Sequence, residues 1–61
     1  MINPKAEDIG RTVVYQPVGA TRGEVGMITS MNKDFVFVRF QGDFGSKATL
    51  RRDLEWWRND K

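Results

Sequence analysis

The chain has 61 residues, with ten lysines and arginines against eight aspartates and glutamates, a net charge of +2, and neither cysteine nor histidine. This composition excludes disulfide staples and thiolate metal sites, and removes both the commonest metal ligand and the usual neutral-pH acid–base group. The length limits the chain to one domain that buries only about 60% of its unfolded surface, so its stability is expected to be modest.

Residues 1–8 show no hydrophobic periodicity and Pro4 discourages early regular structure, so this segment is expected to be a flexible arm. It holds no apolar stretch suited to a signal peptide, and no run in the chain reaches membrane-spanning length. A cytoplasmic location is expected. From Ile9 the pattern becomes alternating: Ile9, Arg11, Val13 and Tyr15 against Gly10, Thr12, Val14 and Gln16, a first strand ended by Pro17. Residues 18–23 form a loop with Gly19 and Gly23, whose expected role is to supply positive φ.

A second strand is predicted from Glu24 to Met31. Val25 and Ile28 both read as buried although they are three apart, which places a bulge or bend at Gly26, close to another strand. Asn32-Lys33-Asp34 turns the chain into a third strand from Phe35 to Phe40. There Val36, Val38 and Phe40 share one face, and Phe35, Phe37 and Arg39 the other. Arg39 marks its own face as the wet one, since burying an unpaired guanidinium is costly. Residues 41–45 are a turn. Ser46 to Leu50 is a short fourth strand with Ala48 and Leu50 inward and Lys47, Thr49 and Arg51 outward. Residues 51–53 make a single helical turn, and Leu54-Glu55-Trp56-Trp57 is a fifth strand. The expected core is Val13, Val25, Ile28, Val36, Val38, Phe40, Ala48, Leu50 and Leu54.

The predicted fold class is therefore all-β: a five-stranded small barrel, with a short helical turn before the last strand, occupying residues 9–58 and followed by a tail at 59–61. Three resemblances accompany it. The stretch Gly19 to Val38, with Gly23, Gly26 and Ile28 in a Gly-x-x-Gly arrangement before a β-branched residue, resembles a KOW motif. That likeness implies a Src-homology-3-like barrel and contact with RNA or the transcription machinery. The stretch Val38 to Leu54, with Asp43-Phe44-Gly45 after the third strand, is similar to the Tudor signature, which implies an aromatic cage from Tyr15, Phe37 and Phe44. The run from Gly26 to Phe40, followed by Lys47-Ala48-Thr49 and Asp53-Leu54-Glu55-Trp56, resembles small proteins of tailed phages and prophages.

Catalysis is not expected. Ser30 and Ser46 are the only serines, and no histidine exists to activate either. No metal or nucleotide cofactor is expected, and Gly19 and Gly23 lack the Gly-Lys-Ser/Thr ending of a phosphate loop. Two binding readings remain. One is a protein-interaction module, a phage or prophage accessory protein whose partner is a host or phage protein. Its surface is Phe35, Phe37 and Arg39, joined by Tyr15, Phe44 and Trp57. The other is a weak single-stranded nucleic-acid or RNA binder using Arg22, Lys33, Lys47, Arg51, Arg52 and Arg58. Basic and acidic residues balance over positions 1–45, and the whole positive excess falls in positions 46–61. That balance favours the protein partner.

Overall fold

A computed structural model of the chain describes residues 1–58; the tail expected at 59–61 lies outside the described residues. Strands β1 (Thr12–Tyr15), β2 (Glu24–Met31), β3 (Val36–Phe40), β4 (Lys47–Thr49) and β5 (Leu54–Trp56) form one antiparallel sheet in the order β4-β3-β2-β1-β5. Only two 3-10 turns interrupt this all-β chain among the described residues, at Ala6–Asp8 and at Arg51–Asp53, the latter the helical turn expected before the last strand. No described helix is long and apolar enough to cross a membrane.

The extents of 27 × 27 × 23 Å are nearly equal. A flat sheet is one layer, and sheet layers pack about 10 Å apart, so the sheet must curl around its apolar face. Inside the curl, Val13, Ile28, Val36, Val38 and Leu54 are fully buried and Phe40 nearly so. The β2–β3 turn is set by Asn32, whose side-chain oxygen accepts the N–H groups of Asp34 (2.8 Å) and Phe35 (2.7 Å). Such a side-chain acceptor stands in for a backbone turn and fixes the hairpin register.

Three expectations are corrected. The first concerns the bulge, which sits between Ile28 and Ser30 and not at Gly26; Gly26 pairs regularly with Val13 and with Phe40. Val25 is 42% exposed, so Gly26 and Ile28 simply alternate inward and no irregularity is needed there. The extra residue is Thr29, which lets both Ile28 and Met31 face the core. Gly26 is nevertheless a close approach: a Cβ there would lie 2.5 Å from Val38 Cγ1 and 3.1 Å from the Arg39 carbonyl oxygen. Of the two loop glycines, Gly19 has φ +88°. Gly23 is not in the left-handed region; a Cβ there would collide with Val14 at 2.6 Å.

The second correction is the face of β4. Thr49 pairs with Val36 and is buried (6% exposed), whereas Ala48 pairs with Phe37 on the outside and Leu50 is exposed. A slip of one residue exchanges the two faces of a strand, and here the turn after Phe40 decides the register. The buried Thr49 hydroxyl is satisfied by donating to the Lys47 carbonyl at 3.1 Å.

The third correction is the N-terminal segment. Ile2 is 3% exposed and belongs to the core, its N–H donating to the Arg51 carbonyl at 3.3 Å. Burying an isoleucine contributes about 1.5–3 kcal/mol, a large term for so small a domain. Ile9, expected in the first strand, is exposed after the 3-10 turn, and β1 begins three residues later at Thr12.

Candidate functional site

The outward face of the sheet is assembled by cross-strand pairing. Thr12 pairs with Met27, and Met27 with Arg39. The Trp57 N–H donates to the Thr12 carbonyl at 3.1 Å, which sets Trp57 beside the same row. In the neighbouring row, Phe37 lies between Ser30 of β2 and Ala48 of β4. Arg39 is exposed and Phe37 half-buried by these neighbours. Phe35 stands at the head of β3, half-exposed, its N–H fixed by Asn32. The bulge residue Thr29 holds this face together: its hydroxyl donates to the Phe37 carbonyl at 3.2 Å and shares a short hydrogen bond with Ser46.

The structure thus brings Phe35, Phe37, Arg39 and Trp57 onto the outward side, and adds Met27, which the sequence reading passed over. Met27 could have been found by its alternation with Ile28. Tyr15 is not on this side. It follows Val13 on the inward face, packs against the core and meets Phe40 edge-to-face, with centroids 5.8 Å apart and rings at 65°. Phe44 is wholly exposed at the tip of the β3–β4 turn. Tyr15, Phe37 and Phe44 are consequently not gathered into one aromatic cage.

The basic residues are dispersed. Arg51 is spent on the hairpin: its guanidinium donates to the Lys33 carbonyl at 3.1 Å and to the Asn32 carbonyl. Lys47 lies 3.7 Å from Asp43, and Arg52 lies 4.0 Å from Asp53. Arg22 is in the β1–β2 loop, Lys33 in the β2–β3 turn, and Arg58 beyond β5, all exposed. A further cation was not singled out from sequence. Arg11 stacks over Trp56 at 4.0 Å and donates to Asp8 at 3.1 Å. The Lys5 N–H bonded to Asp8 and the Arg11 guanidinium hold the Asp8 carboxyl below the usual aspartate range. The i,i+3 spacing of Asp8 and Arg11 was the available signal.

Among the described residues no group of three or more acidic side chains is placed to hold a metal ion. Neither a family profile, nor a curated sequence, nor a solved structure matches the chain.

Proposed function

We propose that this chain is a small non-catalytic binding module, a Src-homology-3-like barrel of the KOW and Tudor kind. In this reading it serves as a phage or prophage accessory protein that contacts a protein partner through the outward face of β3. The strand order supports the barrel, because β5 returns beside β1 and the near-equal extents require a strongly curled sheet.

One observation carries the functional reading. Val36 and Val38 are fully buried, and their strand neighbours Phe37 and Arg39 stand on the opposite side with Met27 and Trp57 nearby. Aromatic, methionine and arginine side chains on one face are the composition enriched at protein interfaces. Nucleic-acid binding has less support, because phosphate affinity grows with the number of unopposed cations. Here Arg51 is engaged by backbone carbonyls and Lys47 faces Asp43.

The test is affinity capture from nuclease-treated lysate of phage-infected cells, with the parent chain and with Phe37→Ala, at two salt concentrations. Capture should survive nuclease and moderate salt, and should vanish for Phe37→Ala while its melting temperature stays close to the parent's. Capture that disappears with nuclease or falls steeply with salt identifies nucleic acid as the ligand instead.

A further inference from the structure

β4 is an edge strand: among the described residues it pairs with β3 on one side and with no strand on the other. Its hydrogen-bonding direction follows from its neighbours. The Phe40 carbonyl accepts the Asp43 N–H (3.0 Å) on the β4 side, whereas the Phe37 carbonyl accepts the Thr29 hydroxyl (3.2 Å) on the β2 side. Alternation along β3 therefore turns the main-chain groups of Val36 and Val38 toward their partners Thr49 and Lys47. Ala48, between those two, directs its own N–H and C=O to the open edge.

Along this edge runs a cleft of about 340 Å³, lined by Lys47, Ala48 and Leu50 of the edge segment together with Tyr15, Glu24, Phe40 and Asp53. The Tyr15 and Phe40 rings give it an aromatic lining. Its charge is acidic in excess. Lys47 also lines it, but its ammonium lies 3.7 Å from Asp43, while Glu24 has no ion-pair partner among the described residues and Asp53 has only Arg52 at the limit of pairing distance, which leaves the lining one negative charge in excess.

We propose that this cleft is a second binding site, separate from the outward face of β3, and that its occupant is an extended, basic segment of a partner polypeptide. The segment's main chain adds to the β4 edge at Ala48, as in other strand-addition complexes. An arginine or lysine side chain enters the cleft, its apolar stem against Tyr15 and Phe40 and its charged head between Glu24 and Asp53. A neutral side chain gains no such partner, and an acidic one meets Glu24 and Asp53 with only Lys47, already beside Asp43, in its favour, so charge selects the segment. A single open residue on β4 supplies too few main-chain bonds for affinity alone, so the side chain in the cleft must contribute much of the binding.

The experiment is an amide NMR titration of the full chain with an end-blocked Val-Arg-Val-Arg-Val peptide. Saturable shifts should centre on Ala48, Tyr15 and Glu24. The double variant Glu24→Lys, Asp53→Asn, checked by melting, should lose about tenfold in affinity, as expected for removing a pair of complementary charges. A peptide N-methylated at its central residue should bind more weakly, a comparison that leaves the protein untouched. Phe37→Ala should bind this peptide like the parent, which separates failure of this site from failure of the β3 face.

Several results overturn the proposal: no shifts at millimolar peptide, equal affinity for Val-Glu-Val-Glu-Val, or shifts confined to Phe37 and Arg39. Unchanged binding of the N-methylated peptide removes the strand addition. Saturation of the same amides by oligothymidylate assigns the cleft to nucleic acid.

Discussion

The β2–β3 hairpin and the seam where the 3-10 turn at Arg51–Asp53, β5 and the N-terminal segment meet are built from opposite kinds of contact. In the hairpin, neighbouring strands face each other across Asn32, whose side chain organises the turn within three residues. In the seam, Ile2 reaches the Arg51 carbonyl and the terminal amine of Met1 reaches Glu55, across almost the full length of the chain. Local contacts cost little chain entropy to form, and remote ones must be compensated by burial. The hairpin can therefore hold its register largely by itself, whereas the seam depends on apolar residues arriving from both ends.

Substitutions can break that contrast, and Gly26→Val is expected to do most damage. Its added carbons collide with the Val38 side chain and approach the Arg39 carbonyl. A loss of about 3 kcal/mol or more is expected, enough to leave much of the chain unfolded at room temperature. Chemical denaturation checks it, and a variant as stable as the parent would show that β2 and β3 can separate at this point.

Ile2→Ala should follow, costing about 2–3 kcal/mol, against under about 1 kcal/mol for Leu50→Ala. This pair tests the seam directly. Equal losses in the two denaturation curves would mean that Leu50 contributes to the core as much as Ile2 does, against their difference in burial. Val38→Ala should cost about 2 kcal/mol in the same assay, since the side chain is fully buried. Phe37→Ala on the opposite face should cost under about 1 kcal/mol.

The smallest effect concerns Asp8. Its folded-state pKa is lowered, so the unfolded chain binds the proton more readily. The contribution is thus fully present above the ordinary aspartate pKa of about 3.9 and is lost as pH falls through the lower folded value. Asp8→Asn should flatten the stability curve below about pH 4 and leave it parallel to the parent's above that. Denaturation midpoints measured across acid pH decide it; an unchanged acid slope would show that the Lys5–Asp8–Arg11 contacts do not persist in solution.

What could be read from sequence divides along the same line. Strand β2 has the predicted bounds, and β3 and its two faces were legible because strict alternation and a turn residue lie within one short window. The helical turn before β5 also stands where it was expected, at Arg51–Asp53. The face of β4 was not, because three residues carry too little pattern to fix their own register. Thr49 wins the inward place only because β3 presents Val36 opposite it. Ile2 was unreadable in principle from local signals, since the site that buries it is made by residues about fifty positions away. At the candidate site, Phe35, Phe37 and Arg39 were visible as one face, but Tyr15 fell on the other side because strand pairing, not residue type, assigns it. Arg51 read as a free cation, and nothing within its neighbourhood in sequence shows that two carbonyls of the hairpin turn await it.

The burial of Ile2 has a consequence for how the chain acquires its fold during synthesis. Ile2 is made long before its site is, because Arg51 and Leu54 must be added to the chain before that site exists. Until then the hairpin exposes Ile28, Val36 and Val38 on one uncovered face. Such a nascent intermediate is prone to association, and completion of the domain waits on contacts of high sequence separation, the kind that slow folding in small β proteins.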